Sequence, residues 1–135
     1  MRVLVIAVNA VFFAVPMSTV HQVLRHPLVT RVPLSPSALL GVVNLRGEIV
    51  PLVDTGVLTG TGALVDPPFA VLVSGDKDMV ALAAEELPIA ADFEAPVGPG
   101  TQPGELGVYS NGGRLVVLVD IEELVKNRLD MKWAS

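Results

Sequence analysis

Proline and glycine punctuate this chain so closely that a long helix has no room to form. Eleven prolines and twelve glycines are spread over 135 residues. Each proline removes a backbone donor, and each glycine weakens a helix interior. Between them lies a series of short apolar runs: Val3–Val8, Val11–Val15, Leu39–Val43, Glu48–Val53, Phe69–Val73, Met79–Ala84 and Arg114–Val119. Each is of strand length, most are rich in valine, and none sustains a period of 3.6. Short strands with frequent turn signals point to a sandwich or small barrels. The length suits one ordinary core, or two very small ones sharing an interface.

Two stretches carry helical spacing. Ser18–Arg25 follows Pro16, places Val20, Val23 and Leu24 on one face, and offers Ser18 as a cap. Asp120–Leu129 has Asp120 to cap it, Glu122 and Glu123 near the positive end of its dipole, and Lys126 and Arg128 near the negative end. Its apolar stripe is Ile121, Leu124, Val125 and Leu129. Thr55–Pro68 and Glu94–Gly107 read as linkers, rich in Gly, Thr and Pro. No repeat of fixed period is visible.

The opening, MRVLVIAVNAVFFAV, has the outline of a signal peptide. However, Asn9 interrupts it, Pro16 ends it, and no small-x-small cleavage site follows. It is also shorter than the ~20 residues a spanning helix requires. Two strands joined by a tight turn at Val8-Asn9-Ala10 account for it better. The expected location is the cytoplasm.

Composition removes several function classes. The chain is 51% hydrophobic and 17% charged, so it folds around a core. With no cysteine it has no disulfide, thiolate zinc site or cysteine nucleophile. Residues 1–50 carry four arginines against Glu48, a net of +3. The remainder carries five Lys/Arg against thirteen Asp/Glu, a net of −8. The front cations Arg2, Arg25, Arg31 and Arg46 are singletons, with few aromatics for base stacking, so nucleic acid is not the expected partner.

The most informative stretch is Gly41-Val42-Val43-Asn44-Leu45-Arg46-Gly47-Glu48-Ile49-Val50-Pro51-Leu52-Val53-Asp54. It reads as strand, turn, strand, with Ile49, Pro51 and Val53 alternating with their neighbours. Asn44 and Gly47 are the residues that tolerate the positive φ of a tight turn. Leu45 and Arg46 then sit at the tip. Pro51 cannot donate to a ladder, which places the second strand at an edge or a bulge. An apolar residue beside an arginine at a turn tip marks a docking point. A solvated turn arginine is the alternative.

Gly41–Asp54 closely resembles the signature of the CheW-like domain family, in which a Gly, two apolar residues and Asn-Leu-Arg-Gly lead into an apolar-Pro-apolar-apolar-Asp strand. Upstream, Phe13-Ala14-Val15-Pro16, Val20, Val23, Val32-Pro33 and Pro36 also match. Downstream, Phe69–Val73, Met79–Leu87 and Leu115–Leu124 fall where the family has its later strands and helix start. The likeness spans roughly residues 3–125. Gln22 stands where the family usually has Glu, and Thr55 where it has Leu. Ala81, Ala84 and Glu85 occupy positions where a Gly and a Val-Asp pair are common.

The resemblance implies an all-β fold of two small five-stranded SH3-like β-barrels packed together, with a short C-terminal helix. It makes residues 1–135 a single CheW-like domain. Approximate lobes are 1–58, with the NLRG turn, and 66–121, followed by helix and tail over 121–135; strands can cross between lobes. It implies a scaffold that performs no chemistry and couples chemoreceptors to a CheA-type histidine kinase. The groove between lobes would take the tip of a receptor's helical hairpin. A separate apolar face would pair with the kinase's regulatory domain. Membrane contact would be indirect, through receptors, and no cofactor is implied. Val20, Gln22 and Arg46 carry over to the receptor side, with Leu45 beside them at the tip.

Other chemistry is thinner. His21 and His26 lack a cysteine or carboxylate cluster for a metal. Asp54 and Asp120 could serve as an acid/base pair, but each also fits as a cap for the element that follows. Ser74-Gly75 and Gly112-Gly113 read as hairpin turns, and Glu85-Glu86 as a solvated rim. A small hydrolase using Asp54 is the competing function. A regulatory domain detached from a larger histidine kinase is another; the length and the start at Met1 favour a stand-alone adaptor.

Overall fold

The computed structural model describes residues 1–75 and 78–129. Its strands are β1 (Arg2–Val8), β2 (Val11–Pro16), β3 (Val20–Arg25), β4 (Val29–Thr30), β5 (Leu39–Leu45), β6 (Glu48–Val53), β7 (Phe69–Ser74), β8 (Met79–Ala84), β9 (Ile89–Asp92), β10 (Glu105–Asn111) and β11 (Arg114–Val119). Two helices, α1 (Thr55–Thr59) and α2 (Ile121–Leu129), complete it. The strands form a five-stranded sheet, β10-β11-β2-β1-β9, and a six-stranded sheet, β3-β7-β8-β6-β5-β4. The β11–β2 and β6–β8 pairings are parallel.

The all-β class with a short terminal helix stands, with two differences in detail. One sheet has six strands, because the two-residue β4 adds to its edge. Neither sheet closes on itself, since β10, β9, β3 and β4 each end a sheet. Both sheets draw strands from residues 1–58 and from residues 66–121.

Burial explains why the first two strands are uniformly apolar. Leu4, Ile6, Val8, Phe13 and Val15 belong to the main core, which they share with β6, β7 and β8. Val3, Ala14 and the neighbouring Val5 and Phe12 pack into a second core with Phe93, Tyr109, Val116 and Leu118. The β1–β2 hairpin is therefore a partition with both faces buried, so its sequence cannot alternate. In β7 and β8, Ala70, Ala81, Ala83 and Ala84 are fully buried. Small side chains there let the sheets approach closely, in the region where the sequence departs from the family pattern.

Three expectations are corrected. Ser18–Arg25 is not a helix: only Met17–Thr19 makes a single 3-10 turn, without a side-chain cap from Ser18. From Val20 the chain is a strand paired with β7. A helix this short is costly to nucleate, whereas the strand gains a ladder and buries Leu24. The Thr55–Pro68 linker opens with α1, capped by Asp54 and closed at Gly60 with φ +78°. The Glu94–Gly107 loop ends early, because β10 begins at Glu105 with a bulge before Gly107.

The terminal helix forms as its caps require. The Asp120 carboxylate accepts from the Glu123 N–H at 3.3 Å, and Lys126 pairs with Glu122 one turn away at 3.3 Å. Leu124 and Val125 are buried in the main core. The side chains of Arg128 and Leu129, and the tail 130–135, lie outside the described residues.

Candidate functional site

The β5–β6 hairpin turns on Arg46 and Gly47, with Leu45 opposite Glu48 and Asn44 opposite Ile49. Both turn residues have positive φ, +53° at Arg46 and +89° at Gly47. Such a turn matches the right-handed twist of its flanking strands. Asn44 does not adopt positive φ, contrary to expectation; it lies in β5 and acts through its side chain. Its Oδ1 accepts the Gly47 N–H at 2.8 Å, which pins the turn from below. The left-handed position falls on Arg46 instead, an arrangement costing a non-glycine residue roughly 1–2 kcal/mol.

Arg46 is exposed and, among the described residues, makes no ion pair. Leu45 is less available than its place at the tip implied, because it is half-buried against the main core. The exposed apolar residue is Ile49, at 58% of its full surface. Ile49 and the half-exposed Val42 and Pro51 make a strip on the hairpin's outer face, while Val50 and Leu52 point inward. Sequence reasoning missed Ile49 because both phases of β6 are apolar, so alternation cannot tell which one faces water.

Pro51 does not lie in an edge strand: β6 sits between β5 and β8. Its pairing with β8 begins only at Leu52, however, so at Pro51 the strand has β5 as its neighbour and no donor is missed.

Val20 and Gln22 lie on β3, opposite Val73 and Leu72, with a bulge between them. Val20 is half-buried and Gln22 exposed. β7 and β8 separate β3 from β6, so this pair is not adjacent to Arg46. At ~4.8 Å per strand, the separation across the sheet is about 14 Å. The register nonetheless brings both groups to one end. β3, β8 and β6 run the same way, so Val20, the start of β8 and the Arg46 turn leave the sheet together.

At that end the two sheets part. A cavity of about 450 Å³ opens between Val15, Pro16 and Thr19 on one side and Ser74, Gly75 and Ile121 on the other. It adjoins Val20 through Thr19. At the opposite end of the six-stranded sheet a second opening, about 550 Å³, has Leu40 and Leu52 at its base and Val29, Arg31 and Asp66 on its walls. Leu28 and Val65 near it are 90% and 87% exposed.

The acid/base alternative finds little support in geometry. Asp54 is 2% exposed. Its carboxylate accepts from the Val57 N–H at 3.2 Å and the Leu64 N–H at 3.1 Å. It caps α1 and anchors the loop beyond, with its acceptors turned to backbone rather than to an open site. Among the described residues no three His, Asp or Glu side chains are grouped as metal ligands, and no helix is long and apolar enough to cross a membrane.

The family model for the CheW-like domain matches residues 2–129. The chain belongs to the CheW-like domain family. It is 30% identical over 128 residues to the chemotaxis protein CheW of Klebsiella aerogenes, covering 85% of this chain and 75% of that one. To the chemotaxis protein CheW of Rhizobium meliloti it is 27% identical over 134 residues, covering 83% and 79%. In structure it is similar to the scaffolding protein TtCheW from Thermoanaerobacter tengcongensis, with a TM-score of 0.77 at 19% identity over 93% of this chain and 92% of that one. The CheW-like fold thus places the NLRG turn, the start of β3 and the inter-sheet cavity at one end of the molecule.

Proposed function

We propose that this protein is a chemotaxis coupling adaptor that performs no chemistry and joins chemoreceptors to a CheA-type histidine kinase in the cytoplasm. The observation that carries the reading is the β5–β6 turn, where an unpaired arginine is displayed in a strained backbone conformation beside exposed Ile49. Strain of this kind persists where function uses it. The receptor's helical tip would lie across the end formed by Arg46, Leu45, Ile49, Val20 and Gln22, next to the groove between the sheets. Asn44 and Gly47 would hold the turn. A helix is 10–12 Å across with its side chains, comparable to the ~14 Å between the two groups.

An adaptor needs a second surface. The apolar opening at the opposite end, near Leu28, Val29 and Val65, would serve the kinase's regulatory domain, so both partners could bind together. Calorimetric titration with a receptor cytoplasmic fragment and, separately, with a CheA regulatory domain tests this. Saturable binding to both is expected, and failure to bind either one sinks the reading. A hydrolytic activity abolished by Asp54→Asn in the folded protein would favour the enzyme instead.

A further inference from the structure

Apolar packing holds the two sheets together, but hydrophobic burial is non-directional and does not by itself fix their rotation. Polar contacts that can fix it gather at the β1–β2 turn. Asn9 and Ala10 form that turn, with φ of +51° and +63°. The Asn9 side-chain amide donates to the Gly62 carbonyl at 2.7 Å and to the Thr61 hydroxyl at 3.2 Å. Its backbone N–H donates to the Glu85 carboxylate. The Glu85 N–H in turn donates to the Ala7 carbonyl at 3.1 Å.

Gly62 belongs to the loop after α1, and Glu85 follows the end of β8. One residue of the five-stranded sheet thus grips two elements joined to the other sheet. The loop is shaped for that grip. The Thr61 and Gly62 N–H groups both donate to the Gly56 carbonyl, at 2.8 and 3.2 Å. A side chain on Gly56 would collide with the Gly62 carbonyl and crowd the Asn9 amide.

The opposite end of β2 is different. There the sheets separate around the cavity of about 450 Å³ beside Val15, Pro16 and Thr19. The Ser74 hydroxyl reaches the Thr19 carbonyl at 3.4 Å, a long and weak bond. β2 has six residues. At ~3.3 Å per residue, a rock of about 10° at the Asn9 end moves the groove end by roughly 3 Å.

We propose that Asn9 is a positioning residue: its clasp on Gly62, Thr61 and Glu85 fixes the rotation of one sheet on the other and so sets the width of the groove. The functional consequence rests on reading that groove as a partner's seat; the mechanical claim does not. A groove held at one width is preorganised for its partner, and loosening it shortens the complex's lifetime.

The chain has no cysteine, so Leu106→Cys and Asp78→Cys give one clean pair of spin-label sites, one on each sheet, at the groove end. Distance distributions are measured by pulsed electron resonance with Asn9 intact and in two variants. Asn9→Asp keeps the size but turns the donor into an acceptor facing the Gly62 carbonyl and Glu85. Asn9→Gly removes the amide while keeping the left-handed turn without strain. Both variants should widen the distribution by roughly 3 Å, and dissociation of a receptor-tip fragment should accelerate roughly fivefold. An unchanged width in the folded variants overturns the proposal, whatever binding does. If Asn9→Asp does not fold, Asn9→Gly decides alone. Failure of the parent chain to bind the fragment would sink the adaptor reading and leave the distance result standing.

Discussion

The β5–β6 and β10–β11 hairpins turn on nearly the same backbone and use it differently. Gly112 and Gly113 have φ of +59° and +80°, against +53° and +89° at Arg46 and Gly47. In the rear hairpin both left-handed positions are glycine, so the turn forms without strain. Its arginine, Arg114, comes one residue later and lies over the Phe12 ring at 4.5 Å. In the front hairpin the arginine takes the strained position and has no ion pair among the described residues. One arginine is used inside the fold; the other is held away from it. Strain retained at one of two equivalent turns marks the turn whose side chain has work outside the molecule.

The largest expected effect breaks the front turn's outward role. Arg46→Glu should weaken association with the receptor fragment by about 2 kcal/mol or more, about thirtyfold, since buried arginines rank among interface hot spots. Its melting temperature should stay near the parent's, because an exposed side chain adds little to folding. Unaltered binding in calorimetry would make Arg46 a solvated turn residue. Arg46→Gly should separate strain from contact: binding falls by a similar factor, while the urea midpoint rises by about 1 kcal/mol of stability. A lower midpoint would mean that the arginine braces the fold.

The rear turn supplies the converse. A side chain at Gly112 meets nothing within 4 Å, so Gly112→Arg should cost about 1 kcal/mol from backbone strain alone. Receptor affinity should not change, and a drop in it would extend the docking surface to this hairpin. The smallest effect concerns Asn44. Asn44→Ala removes the acceptor of the Gly47 N–H and should cost roughly 0.5–1 kcal/mol, since that donor remains open to water. A severalfold loss of affinity should accompany it as Arg46 loses its support, and unchanged affinity would show that the turn holds itself.

The front hairpin was legible because its turn chemistry, valine runs and family motif agree over fourteen consecutive positions, Gly41–Asp54. The same agreement of valine runs and turn residues placed β1, β2, β7, β8, β11 and α2. It failed at β3, where Val20, Val23 and Leu24 fit a helical stripe as well as a strand, and only pairing with β7 decides. β4 and β9 have two and four residues, too few to show a period. α1 was hidden because its boundaries, Asp54 and Gly60, resemble ordinary loop residues until the cap is seen. At the candidate site, the turn and Arg46 were readable. The availability of Ile49 and the half-burial of Leu45 depend on which face of β6 meets the core, and local sequence does not encode that.

The partition formed by β1 and β2 also imposes an order on biosynthesis. β1 pairs with β9, Arg2 lying opposite Asp92, and β2 pairs in parallel with β11, Phe12 lying opposite Val116. The first strands made are thus completed by nearly the last. At 5–20 residues per second, the ribosome leaves about 5–20 s between them. Throughout that interval a nascent hairpin with two greasy faces waits without either core, and it is there, before the protein has any partner to couple, that chaperone capture would decide its yield.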